Sequence, residues 1–100
     1  MPDDVVLTTI DHRGVATVAI NRPALNNAYD RAVIRALIDA FTALAADPAV
    51  RVVVLRGNGK HFQAGADLNW VKANRDLSLG DNVAVSIDTT DAVRGLNEFP

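Results

Sequence analysis

Apolar and β-branched residues dominate positions 5–10 (VVLTTI) and again 15–20 (VATVAI). Between them stands Asp11-His12-Arg13-Gly14, a cluster of turn formers, so the two runs predict a β-hairpin with a loop of about four residues. Asn21-Arg22-Pro23 ends the second strand, because proline has no N–H to donate to a ladder. The small and polar stretch 24–29 predicts a loop. The period then changes. Val33, Ile34, Leu37, Ile38, Phe41 and Leu44 recur at spacings of three and four, which predicts a helix with one apolar stripe. Arg31, Arg35, Asp39 and Thr42 fall mostly on its opposite side. Asp30 is the expected N-cap, and the helix should end near residue 46, since a residue preceding proline, here Asp47 before Pro48, disfavours helical backbone.

Positions 50–55 break the alternation, with Val52, Val53, Val54 and Leu55 apolar in succession. That pattern predicts a strand of a parallel sheet, buried on both faces. Strand, helix and strand make a βαβ unit with a right-handed crossover. Gly57-Asn58-Gly59-Lys60 then turns the chain out at the carboxyl edge of the sheet, where open α/β sheets bind ligands. Beyond Trp70 two periods compete. Val83, Val85, Ile87 and Thr89 alternate as a strand would, whereas Val83, Ile87, Thr90, Val93 and Leu96 form a helical face. The length of the segment favours a helix from about 81 to 98, against the weak helix propensity of its β-branched residues. No repeat, low-complexity tract or linker divides the chain, so residues 1–100 are expected to belong to one α/β domain.

Composition narrows the partners. A 49% hydrophobic chain of 100 residues can bury a core. Its net charge of −2 and scattered basic residues supply no cationic footprint for nucleic acid or for a membrane surface. The absence of cysteine excludes disulfides and thiolate metal sites. Met1-Pro2-Asp3-Asp4 is acidic where a signal peptide is basic, and no apolar run reaches bilayer length. These features lead us to expect a soluble, cytoplasmic protein. Glu98 is the only glutamate, which leaves no pair of glutamates for acid–base work.

Few motifs survive inspection. Gly57-Asn58-Gly59 fails as a dinucleotide loop, because Phe62 stands where a third glycine is needed. It fails as a phosphate loop too, with Val54 in place of the first glycine and His61 in place of serine or threonine. What remains is a glycine turn needing positive φ. His12 and His61 are expected as turn residues, with no nucleophile, acid or ligand spacing around them. The stretch 63–68 differs. Ala64, Gly65 and Ala66 allow close approach of a ligand or another backbone, and Asp67 suits the N-cap of a short helix through Leu68, Asn69, Trp70 and Val71. Free N–H groups at such a start favour negative charge, including a developing oxyanion. On the residues alone a tightly packed helix start with no ligand is the commoner meaning of this pattern, and a core or interface position the commoner one for Trp70.

Taken together, "GVATVAINRPALNNAYD" followed by "DPAVRVVVLRGNGKHFQAGADLNW" resembles the enoyl-CoA hydratase/isomerase (crotonase) superfamily, over about positions 5–72. The resemblance implies the N-terminal β-hairpin plus βαβ portion of a crotonase-like (ClpP/crotonase) spiral fold, incomplete, with the C-terminal half absent. It implies that the Ala66 N–H is the first oxyanion donor to a thioester carbonyl. Ala64, Ala66 and Leu68 match backbone positions that contact the adenine of coenzyme A. Gly65 and Asp67 complete that loop, and Leu25, Asn26 and Ala28 match a loop lining the same pocket. Asn69 stands where some members carry a lysine near the nucleotide phosphates, a charge that Lys72 could supply from the next turn. Gln63 replaces a commoner small residue. "GADLNW" looks most like members that hydrate branched or carboxylated enoyl-CoA thioesters such as methylglutaconyl-CoA.

The implied reaction is syn addition of water to a 2-enoyl-CoA, with isomerase or other crotonase chemistry as alternatives. The acyl-CoA is substrate, no separate cofactor is implied, and homotrimers or dimers of trimers are the implied assemblies. The chain also departs from the pattern. The second oxyanion donor and the catalytic glutamates are expected after Pro100, and Glu98 matches neither. The 100 residues alone are therefore expected to be inactive. A non-catalytic CoA-thioester-binding or interaction fragment, and an unrelated α/β domain, are the competing readings.

Overall fold

Asp11 organises the first turn of the chain. In the computed structural model, which describes residues 4–98, its Oδ1 accepts the N–H groups of Arg13 (2.9 Å) and Val15 (3.1 Å). Gly14 closes this turn at φ +81, and a Cβ there would meet Ala49 O and the Arg51 side chain, so sign and space both require glycine. The turn joins β1 (Val6–Ile10) to β2 (Val15–Ile20) in the expected antiparallel hairpin. Gly14 O also accepts Arg51 N at 2.8 Å, which seats the start of β3 (Val52–Gly57) against the turn.

Strand β3 pairs with β2 in parallel, Val15 beside Val52 and Ile20 beside Gly57, giving the sheet order β1-β2-β3. The connecting helix α1 (Arg31–Ala45) begins where its cap residue predicts: Asp30 accepts Val33 N at 3.0 Å. Its stripe Val33, Ile34, Leu37, Phe41 and Leu44 is buried, with Ile38 partly buried beside it. Ala16, Val18 and Ile20 of the central strand complete the core beneath.

One expectation fails at β3. Val53 and Leu55 pack against the core, but Val52 and Val54 are 53% and 44% exposed. Among the described residues the strand lies at the sheet edge and packs on the core by one face alone. An apolar run therefore marks a strand without revealing which of its faces is covered.

Two further helices follow, α2 (Leu68–Arg75) and α3 (Leu79–Asn97). Ser78 caps α3, accepting Asp81 N at 3.1 Å, and the helix prevails over the alternating pattern. The buried side of α3 is not the stripe that its large residues suggest. Val83, Ile87, Val93 and Leu96 are exposed, whereas Ala92 is buried and faces α1 with Gly95 and Asp88. A methyl on Gly95 would lie 3.4 Å from the Phe41 ring, and Arg35 approaches Asp88 at 3.5 Å. Small residues at this contact let the two helices approach closely, so the bulky ones point outward. No described helix is long and apolar enough to cross a membrane.

The two faces of α3 predict opposite mutational outcomes. Phe41→Ala should cost about 3–5 kcal/mol in urea unfolding, because it empties the contact beneath Gly95. Val93→Ser, on the exposed face, should change stability by no more than about 0.5 kcal/mol.

Candidate functional site

The chain leaves β2 through Asn21-Arg22-Pro23, and Pro23–Leu25 forms a single 3-10 turn. Asn26 and Asn27 then both take left-handed backbone, φ +53 and +59, a conformation that asparagine tolerates better than most residues. This contortion turns the Asn27 side chain fully inward. Its Oδ1 accepts Arg22 N at 2.8 Å, and its Nδ2 donates to Asn58 O (2.8 Å) and His61 O (2.6 Å). Asn27 thus ties the loop of residues 22–29 to the turn after β3. Gly57 makes room: a Cβ there would strike the carbonyl oxygens of His61 and Phe62. The positive φ expected of this turn belongs to Gly59, at +83.

Beyond that turn the chain returns alongside the loop. Tyr29 N donates to Gly65 O at 2.8 Å, and Asp67 N donates to Tyr29 O at 2.7 Å, forming one parallel bridge centred on Ala66. The direction of the Ala66 N–H follows from this pairing. It shares a trans peptide with the Gly65 carbonyl, and in a trans peptide the two point opposite ways. Because Gly65 O faces Tyr29, the Ala66 N–H faces away from it, and it meets no acceptor among the described residues. Gly65 itself sits at φ +96 with open space where a Cβ would be. Backbone sign demands glycine there, and no other part of the described chain makes the close approach.

Asp67 caps α2 as its position predicts, Oδ1 accepting Asn69 N (2.8 Å) and Trp70 N (3.3 Å). Its second oxygen receives Arg22 Nη2 at 3.1 Å. Arg22 Nη1 donates to Ala28 O at 2.7 Å and lies 3.5 Å from Asp30, the cap of α1. One guanidinium, 16% exposed, therefore holds the capping carboxylates of two helices. The Trp70 N–H, then the Arg22 guanidinium and the Asn69 N–H, keep the Asp67 carboxyl below the usual carboxylate range. Tyr29 and Trp70 meet edge to face, with ring centroids 5.7 Å apart.

Two concavities open beside Ala66. An open groove of about 430 Å³ is lined by Leu25, Ala28, Ala64, Ala66, Asp67, Leu68 and Asn69. These are residues that the sequence nominated, brought together from two loops. Asn26 and Gly65 shape those loops and are not among the walls. A second cavity of about 410 Å³ lies between α2 and α3, with Ala66, Tyr29, Trp70, Asn74, Val85 and Thr89 among its walls. Ala66 borders both. Lys72 is exposed on α2 outside either wall, and His12 and His61 are exposed turn residues. Glu98 is exposed at the end of α3 and borders the cleft between α1 and α3 instead. No group of three or more histidine or acidic side chains among the described residues could hold a metal ion. Sequence reasoning missed Arg22 and Asn27 as organisers of the site. Two successive asparagines after a proline turn were the available signal, since asparagine favours left-handed backbone.

Asn27→Ala would leave Arg22 N, Asn58 O and His61 O without their partner and should cost about 3 kcal/mol in denaturant unfolding. Asp67 makes a pH prediction. A carboxyl held below its ordinary value of 3.8 stabilises the fold fully above that value and loses the contribution as pH falls through the folded pKa. Intrinsic-rate-corrected amide exchange at Asn69 and Trp70 should therefore accelerate below about pH 4 and stay flat above about pH 5. Protection that is unchanged on acidification would contradict the cap.

The chain is similar to known proteins. The model of the enoyl-CoA hydratase/isomerase family matches residues 11–87. The 2,3-dehydroadipyl-CoA hydratase of Escherichia coli is 41% identical over 64 residues, 64% of this chain and 25% of that protein. The mitochondrial Δ(3,5)-Δ(2,4)-dienoyl-CoA isomerase of Rattus norvegicus is 35% identical over 79 residues, 79% of this chain and 24% of that protein. The crystal structure of an enoyl-CoA hydratase from Mycobacterium smegmatis superposes with a TM-score of 0.87 at 38% identity, covering 96% of this chain and 37% of that one. The chain spans between about a quarter and a little over a third of the length of these relatives. The hairpin, the parallel β3 and the helices are thus part of a crotonase fold. By the match over residues 11–87, this chain belongs to the enoyl-CoA hydratase/isomerase family.

Proposed function

We propose that the chain forms the coenzyme A side of an enoyl-CoA hydratase site, with the Ala66 N–H as one of two donors to the thioester oxygen. The outward direction and free state of that N–H, at the meeting of two concavities, carry the reading. In this pose coenzyme A follows the groove past Leu25, Ala28, Ala64 and Leu68. The acyl chain enters the cavity between α2 and α3, which sets the thioester carbonyl beside Ala66. Addition of water to a 2-enoyl thioester passes through an enolate, whose charge collects on the carbonyl oxygen. A fixed N–H dipole stabilises that oxygen more in the transition state than in the ground state.

The same step serves isomerases, in which a proton moves along the acyl chain, and the hydratase and isomerase names of the relatives agree with this shared chemistry. We infer a homotrimeric or dimer-of-trimers assembly and a cytoplasmic location for the whole protein. The 100 residues by themselves are read as a binder without turnover. Their only glutamate is exposed at the end of α3, and the Asp67 carboxylate is committed to Arg22 and to the start of α2.

Calorimetry of the 100-residue chain with crotonyl-CoA should detect binding, and a hydration assay should detect no turnover. Ala66→Pro, which removes the N–H while leaving both Tyr29 bonds their partners, should abolish any preference for the thioester over a thioether analogue. In a complete active site the same loss should cost about 10²–10³ in kcat. Binding that ignores the carbonyl in the unaltered chain would overturn the reading.

A further inference from the structure

We propose that Arg22 is a positioning residue for the Ala66 N–H, acting through a relay of two peptide groups. Arg22 Nη1 donates to Ala28 O at 2.7 Å. The Ala28 carbonyl belongs to the peptide whose N–H is that of Tyr29, and this N–H donates to Gly65 O at 2.8 Å. The Gly65 carbonyl in turn belongs to the peptide whose N–H is that of Ala66. Both peptides are trans, so each holds its carbonyl and N–H on opposite sides and hands its direction to the next. The Arg22 guanidinium stands at one end of the relay, and at the other an N–H with no acceptor among the described residues.

Two effects follow. Arg22 anchors Ala28 and Asp67 at the same time, and so clamps both strands of the bridge that aims the Ala66 N–H. It also polarises that N–H, because aligned hydrogen bonds strengthen one another by roughly 10–30% per bond. Asp30 and Asp67 both lie against the guanidinium and outnumber its charge, so the cluster presents no net positive field and the effect travels through the bonds. Arg22 bonds to two groove residues, Ala28 and Asp67, but is not itself among the groove walls. Its influence on a ligand is therefore indirect.

This inference rests on the role proposed for Ala66, and its first readout needs no ligand. In NMR spectra of the 100-residue chain, Arg22→Met should move the Ala66 amide proton upfield while the Val18 amide in the core stays in place. Arg22→Lys, which keeps a charged donor, should restore part of the shift. The thioester preference of Arg22→Met, crotonyl-CoA against its thioether analogue, should fall about two- to fivefold. An unmoved Ala66 amide in a folded Arg22→Met variant overturns the proposal. Where that variant does not fold, scalar coupling from Tyr29 ¹⁵N to Gly65 ¹³C′ in the unaltered chain decides, its presence expected and its absence overturning the relay. An unaltered chain that binds crotonyl-CoA and the thioether alike overturns the reading of Ala66, whereas the ligand-free amide shift tests the relay separately.

Discussion

Tyr29 donates its N–H to Gly65 O and accepts the Asp67 N–H at its carbonyl, and these two bonds join loops that lie far apart in the sequence. The rest of the site depends on them. They put Leu25 and Ala28 across a groove from Ala64 and Leu68, and they leave the Ala66 N–H facing outward. Lone bridges of this kind are weak in water. Here the surrounding side chains hold the bridge in register, with Asn27 fastening one loop to the β3 turn and Arg22 fastening it to Asp67.

The shared use of Arg22 explains how a shallow surface site stays organised. Each helix cap alone needs a carboxylate aimed at free N–H groups, and both Asp30 and Asp67 meet that need. Bringing two carboxylates close together would cost electrostatic energy. A planar guanidinium with several donors relieves that cost and supplies a bond to Ala28 O as well. Lysine, with a single compact charge, could not match that geometry.

The hairpin, α1 with its cap, the parallel β3 and the short α2 behind Asp67 were all legible from spacing and cap chemistry. These are local or strongly periodic features, and the chain sets them before any long-range contact forms. The faces of β3 and α3 were not legible. An apolar side chain records that a surface can be buried, and the neighbouring elements decide whether it is. Val54 and Val93 stay exposed because no described element packs on them, while Gly95 and Ala92 are covered because α1 runs beneath.

The site divides along the same line. The sequence by itself determined that small residues at 63–66 lead into a helix capped by Asp67, and its resemblance to a known family nominated the partner loop at 25–28. Only the tertiary structure decided where the Ala66 N–H points and what holds it there. A peptide N–H takes its direction from the carbonyl on the other side of its own bond. That carbonyl takes its direction from Tyr29, whose place is set by Arg22 and Asn27 through contacts that no local pattern encodes.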